Sequence, residues 1–361
     1  MTETTLTVDL DALAYNYGVL KHFAGAAETG AAVKADAYGM GAEAVALRLW
    51  KEGCRSFFVA RLAEGQVLRR ALGDRDASIY VLDGMTAPAD GPRLMAARLI
   101  PALNSLQQVE TWISYGDQRW LEAALHVDTG MNRLGLRLED ARALAKNRAK
   151  LAKMDVSLVM SHLACADDPA SSMNAAQLER FRTIRGLFPA AQGSLANSAG
   201  TFLGVAYGFD LVRPGLSLYG AGASGRTDKR LKPVATLHAP ILQIRDVPAG
   251  ETVGYGATFK AVRPVRIAIL AAGYADGLPR TSASSGNAWF ANGKRRILGR
   301  VSMDLMAIDV TDCDEVAAGD MVELVGPNIT VDEAAHAGGV SAYELLTRLS
   351  LRATRRYIGE A

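Results

Sequence analysis

Short apolar runs recur through the first two thirds of the chain, at 30–33, 56–60, 78–82, 99–103, 122–127, 156–161, 194–196 and 211–213. Between most of them apolar positions repeat near every 3.6 residues, as at 107–114, 138–151 and 175–188, the spacing of a helix with one buried face. Short strands alternating with helices imply parallel βαβ units. About eight such units in roughly 225 residues predict a closed (β/α)8 barrel, a TIM barrel. An open doubly wound sheet would want a glycine-rich dinucleotide loop after its first strand, and none is present. Ahead of these runs, 6–10 reads as a strand that leads into a helix.

Beyond about residue 226 the pattern changes. Gly222-Ala223-Ser224-Gly225-Arg226-Thr227-Asp228-Lys229 is small, polar and glycine-rich, a linker by composition. Short alternating or apolar runs follow at 241–247, 266–272, 296–298, 305–310 and 321–325, and a helical pattern at 341–349 closes the chain. The expected organisation is a barrel over 1–225 and a mainly β carboxyl-terminal domain over 226–361.

With 49% hydrophobic residues, 22% charged residues and a net charge of +2, the composition is that of a soluble globular protein. No basic or acidic block points to nucleic acid or to a charged partner. No apolar run is long enough to span a bilayer, and no basic stretch precedes an apolar core at the amino terminus, so the expectation is a cytoplasmic protein without a signal peptide. Three cysteines and five histidines, all far apart, predict neither a disulfide framework nor a metal site.

The candidate chemistry falls at one end of the predicted barrel. Lys34 directly follows the apolar run at 30–33, where a desolvated amine becomes a nucleophile able to form an imine with a carbonyl compound such as pyridoxal phosphate. Arg133, His162, Asn197, Ser198 and Arg213 also follow, or end, predicted strands and so share the rim of Lys34. Taken singly each has a plainer reading: a lysine snorkelling to water, a core histidine, an Asn-Ser helix cap, a surface arginine. Five on one rim point to a site. The loops Ala196-Asn197-Ser198-Ala199-Gly200 and Arg213-Pro214-Gly215-Leu216-Ser217 offer small residues, hydroxyls and backbone N–H groups where this fold binds phosphate.

At Ala32-Val33-Lys34-Ala35-Asp36-Ala37-Tyr38-Gly39, Asp128-Thr129-Gly130-Met131-Asn132-Arg133-Leu134-Gly135, Ser161-His162-Leu163-Ala164, Ala196-Asn197-Ser198, Val212-Arg213-Pro214-Gly215, Gly254-Tyr255-Gly256-Ala257-Thr258, Gly273-Tyr274-Ala275-Asp276-Gly277 and Gly299-Arg300-Val301-Ser302-Met303-Asp304 the chain closely resembles the alanine racemases, fold type III pyridoxal phosphate enzymes. The resemblance implies a homodimer with shared active sites that interconverts L- and D-alanine, for peptidoglycan synthesis or alanine breakdown. It implies that Lys34 holds the cofactor and acts as base on one face of Cα, with Tyr255 of the partner subunit on the other. Arg213 would face the pyridine nitrogen and His162 would pack on the ring beside Asn197, while Tyr38, Ser198, Gly215 and Leu216 would cradle the phosphate. Arg133 and Met303 would contact the substrate, and Tyr274, Arg280 and Asp304 would line its approach.

Three positions depart from the family pattern. Many members carry a carbamylated lysine seven residues before the substrate arginine; His126 stands here, so Arg133 must be oriented by an anion or by His126 itself. In some members a tyrosine eight residues after the Tyr-Glu pair reaches the phosphate, where counting from Tyr343-Glu344 gives Leu351, and in some a histidine supports the pyridine arginine, where Ser194 stands here. Other readings are a racemase of serine and other small amino acids, a fold type III decarboxylase, or a non-enzymatic pyridoxal phosphate carrier. Arg213 speaks against the decarboxylase, which would place a carboxylate at the ring nitrogen, and the Tyr255 motif against the carrier, which needs no second base.

Overall fold

The computed structural model of the chain describes residues 3–116, 121–283, 285–349 and 351–360. They form two compact units, one from Tyr17–Ala37 and Gly41–Leu218, the other from Met1–Asn16, Tyr38–Met40 and Tyr219–Ala361.

In the first unit Ala31–Ala32, Ser56–Val59, Ser78–Val81, Ile100–Leu103, Glu122–His126, Asp155–Met160 and Gln192–Ser194 lie side by side in that order, all parallel. An eighth strand, Leu211–Val212, closes the ring. On one flank Asp210 N–H bonds Gly193 O (3.0 Å) and Arg213 N–H bonds Ala196 O (2.9 Å); on the other Gly30 N–H bonds Val212 O (2.9 Å) and Ala32 N–H bonds Pro214 O (2.8 Å). This is the expected barrel. Ser56–Val59 and Ile100–Leu103 are buried at every position, because side chains fill the interior and helices cover the outside. That is why these strands read as continuous apolar runs. The helix Leu106–Ile113 contributes buried Val109, Trp112 and Ile113 to that cover. The helical pattern at 138–151 is two helices, Leu138–Lys146 and Arg148–Leu151. Asn147 breaks it, its side chain accepting from Lys150 N–H at 3.1 Å, since asparagine satisfies a helix start better than a helix interior.

The second unit is built on an eight-stranded sheet, in the order Val265–Leu270, Met306–Asp309, Gly293–Leu298, Asn287–Phe290, Met321–Val325, Ala235–Val247, Thr5–Asp9 and Thr354–Ile358. Ala235–Val247 is a 13-residue strand. Its first half pairs with Met321–Val325 and its second half returns to Val265–Leu270, which closes six of the strands on themselves. The chain's first strand, Thr5–Asp9, therefore belongs to this sheet, antiparallel to Ala235–Val247 and parallel to Thr354–Ile358. The helical pattern at 341–349 is the shorter helix Ala342–Leu346, begun by Ser341 accepting from Glu344 N–H at 3.2 Å. A further helix, Val331–Gly338, precedes it, and the last element is a strand.

Candidate active site

The barrel strands all run one way, so the segments after them share one rim. Lys34 sits there, held by Val33 N–H bonding Phe58 O at 2.9 Å. It is half-buried. Burial, and then the Arg133 charge, depress its pKa against the opposing pull of Glu64 and Asp83. Its amine is thus closer to the neutral, nucleophilic form than that of a surface lysine.

The next four residues, Ala35, Asp36, Ala37 and Tyr38, all have φ between 53° and 57°, a full left-handed turn without a glycine. Such a turn costs about 1–2 kcal/mol per residue, so it must be held. Ala37 N–H bonds Val33 O (2.9 Å), Gly41 N–H bonds Asp36 O (2.8 Å) and Ala42 N–H bonds Asp36 Oδ1 (2.7 Å). Glu64 supplies the remaining tie: Oε1 accepts from Ala35 N–H (2.9 Å), and Oε2 from Ala60 N–H (2.7 Å) and Arg61 N–H (3.1 Å). One carboxylate thereby fastens the Lys34 loop to the loop after the next strand. Sequence reasoning passed over Glu64; its place as the third residue of the helix Leu62–Leu72, where glutamate closes a capping box, was the available signal.

Further round the rim, Asn197 caps the short helix Ser198–Phe202 by accepting from Gly200 N–H at 2.9 Å. Its amide nitrogen therefore faces His162 Nε2, at 3.4 Å, and the imidazole proton resides on Nδ1. Burial and the neighbouring Arg213, Arg133, Lys34 and His126 hold His162 neutral. Arg213 is buried, and burial brings its pKa down to about 10, which leaves it cationic at neutral pH. Its Nη2 donates to Ser161 O at 2.5 Å and its Nη1 to Ser194 Oγ, whose hydroxyl donates in turn to Leu211 O. Ser194 thus steadies Arg213. Ser198 Oγ accepts from Gly215 N–H (2.9 Å) and Ser217 N–H (3.2 Å), drawing the loop with Gly215 and Leu216 against the Asn197-Ser198 turn. Ser217 Oγ is buried without a hydrogen-bond partner among the described residues.

His126 is the buried last residue of the strand Glu122–His126. Asn104 donates its amide N–H groups to Leu82 O (3.0 Å) and Ala102 O (2.8 Å), so its carbonyl accepts from His126 Nδ1–H at 2.7 Å and leaves Nε2 as an acceptor. Burial, Arg213 and Arg133 push His126 down to about 4, so it is neutral. Arg133 itself is exposed on its loop and makes no side-chain hydrogen bond or ion pair among the described residues.

The remaining predicted residues belong to the second unit. Tyr38 is buried, its ring stacked on Tyr219 at 4.7 Å and tilted against Tyr343 at 5.9 Å, and burial holds its phenol pKa up. Tyr255 occupies a turn in which Gly254, Gly256 and Ala257 have positive φ, and it is 68% exposed. Arg300 packs over that turn: a Cβ on Gly256 would stand 3.0 Å from its Nη1. Tyr274, Arg280, Met303 and Asp304 are also exposed. Sequence reasoning passed over Arg352, which hydrogen-bonds both Asp276 and Asp304.

Residues 8–223 match the family model described as the alanine racemase N-terminal domain, and residues 234–357 that of the alanine racemase C-terminal domain. The chain belongs to the alanine racemase family. Membership makes it an isomerase, an alanine racemase by type. It is 46% identical to the biosynthetic alanine racemase of Agrobacterium fabrum, over 98% of this chain and 93% of that one. It is 43% identical to the catabolic alanine racemase of the same organism, over 98% and 92%. Among solved structures, the alanine racemase of Bartonella henselae with covalently bound pyridoxal phosphate superposes with a TM-score of 0.93 at 36% identity, covering 99% of this chain and all of that one. The biosynthetic alanine racemase of Pseudomonas aeruginosa gives 0.92, also at 36% identity and the same coverage.

Proposed function

We propose that this chain interconverts L- and D-alanine with pyridoxal phosphate held on the barrel rim, by a two-base route completed by a second copy of the chain. The observation that carries the reading is the half-buried, depressed-pKa amine of Lys34, in a chain 36% identical to a Bartonella henselae enzyme that binds pyridoxal phosphate covalently. The rim suits such an anion. Arg133 and Arg213 provide cations, Ser198 a hydroxyl whose proton is uncommitted by its two acceptor bonds, and Ser217 Oγ a buried hydroxyl with no partner among the described residues.

Lys34 would hold the cofactor through its amine, and Tyr38, Ser198, Gly215 and Leu216 its phosphate. Arg213, cationic and anchored by Ser161 and Ser194, would donate to the ring nitrogen, and neutral His162, held by Asn197, would pack on the ring. Bound there, pyridoxal phosphate supplies an electron-withdrawing ring that acidifies the Cα–H of an attached amino acid. Racemisation then needs a proton taken from one face of Cα and one delivered to the other. Lys34 Nζ serves one face and Tyr255 Oη of the partner subunit the other. Arg133 and the Met303 backbone orient the substrate, and Tyr274, Arg280 and Asp304 border its approach. The homodimer reading is supported by the 68% exposure of Tyr255 and the 53% exposure of Met303, side chains on turns open to a second copy.

The test is a circular dichroism time course on L-alanine with pyridoxal phosphate present. The parental chain should carry the ellipticity to zero. Lys34→Ala should lose the visible absorbance of the bound cofactor and the racemisation together, and retained racemisation would end the assignment. Tyr255→Phe should fold and bind cofactor yet lose at least about a hundredfold in rate, the usual weight of one general acid–base group. Near-parental rates in both directions would refute the two-base route.

A further inference from the structure

Tyr274 and Met303 stand on two turns of the second unit that are tied directly to each other. Tyr274 N–H donates to Ser302 O and Ala275 N–H to Met303 O, each at 3.0 Å. Gly273 passes so close to the Ser302 and Met303 carbonyls that a Cβ there has no room. Its N–H donates to Asp276 Oδ2 at 2.8 Å. Arg352, just ahead of the last strand, faces both turns. Its Nε and Nη2 donate to the two oxygens of Asp276 at 2.8 and 2.7 Å, and its Nη1 donates to Asp304 Oδ1 at 2.5 Å. The Asp276 side chain is 2% exposed, whereas that of Asp304 is open to solvent.

One guanidinium therefore serves a carboxylate from each turn, and a planar fork fixes orientation as well as distance. Without it the buried Asp276 carboxylate would keep, among the described residues, only the Gly273 N–H, and the neighbouring Asp304 would repel it. The turns would then separate at their carboxylates while still joined through the backbone, shifting the exposed faces that carry Tyr274 and Met303.

We propose that Arg352 is a positioning residue that holds the Tyr274 turn against the Met303 turn and thereby sets the affinity of the enzyme for its small amino-acid substrate, taking no part in proton transfer. The inference rests on the reading above, in which these turns border the substrate.

The holoenzyme, assayed on L-alanine with activity expressed per bound cofactor, tests it. Arg352→Met should raise KM about tenfold and change kcat less than about twofold; Arg352→Lys, which keeps the charge but not the fork, should fall between. Adding Asp276→Asn to Arg352→Met should recover at least about threefold in KM, because the buried charge left alone is then gone. Unchanged KM in Arg352→Met and Arg352→Lys overturns the proposal, as does a lower melting temperature with no change in KM. Should Arg352→Met fail to fold, Arg352→Lys and Asp304→Asn carry the test, and an unchanged KM in both overturns it. Tyr274→Ala separates the two readings. If it leaves KM unchanged, the placing of these turns beside the substrate has failed; if it raises KM while the Arg352 variants do not, only the clamp has.

Discussion

His126 shows how one residue type changes the physics of a position. Its imidazole is neutral because burial, Arg213 and Arg133 all oppose a third positive charge, while Asp128 alone pulls the other way. In an unfolded chain a histidine titrates near 6.5, and in this fold His126 is pushed down to about 4. Between those values the unfolded state binds a proton that the folded state refuses. The contribution of His126 to stability is therefore complete above about pH 6.5 and is lost as pH falls toward about 4. Neutral His162 adds a slope of the same sign. Melting temperature should drop between about pH 7 and pH 5, and His126→Gln should flatten part of that drop. An identical pH slope in the variant would show that the imidazole does not carry this linkage. Asn104 accepts from His126 Nδ1–H, which leaves Nε2 as the acceptor of the ring, so a neutral group stands at this position.

At the scale of elements, the left-handed turn after Lys34 stores strain that only its surroundings can hold, and the Glu64 carboxylate is the part contributed by another element. Glu64→Ala removes an acceptor from three backbone N–H groups at once. A hydrogen bond to a charged group is worth about 1.5–3 kcal/mol, and water can take the place of the carboxylate at the exposed Ala35 and Arg61 N–H groups, so the variant should lose about 2–3 kcal/mol in urea unfolding. It should also lose affinity for pyridoxal phosphate in equilibrium dialysis, because the loop that presents Lys34 relaxes; full retention of both would mean the turn is held without it. The barrel strands were legible as apolar runs because parallel strands are buried on both faces, and the rim residues because each follows such a run. The left-handed turn was not legible: positive φ is advertised by glycine, and Ala35, Asp36, Ala37 and Tyr38 carry no such mark. Nor were the ties made by Glu64, Asn104, Ser194 and Arg352, since each joins segments far apart in sequence. Thr354–Ile358 escaped notice because its exposed Thr-Arg-Arg-Tyr-Ile pattern has no buried face to alternate with. The strand Thr5–Asp9 was visible as a strand, but its partners start 230 residues further on, and no local pattern names them.

At the scale of the molecule, the residues proposed to carry the chemistry are divided between two units: Lys34, Arg133, His162 and Arg213 on the barrel, Tyr255, Tyr274 and Met303 on exposed turns of the other. If the second base comes from a second copy, each site of the proposed dimer draws Lys34 from one chain and Tyr255 from the other. Lys34→Ala and Tyr255→Phe homodimers then lack one base at both sites. In a mixed dimer the asymmetry is complete, since one site receives both altered residues and the other receives neither. Random exchange of chains makes half the dimers mixed, with one sound site of two, so pooled inactive variants should regain about a quarter of parental activity. Exchange is followed by giving one variant a mass tag and weighing the dimers. Mixed dimers present at the expected share with no recovered racemisation would show that both bases come from the same chain, and recovery far above a quarter would show that one base suffices.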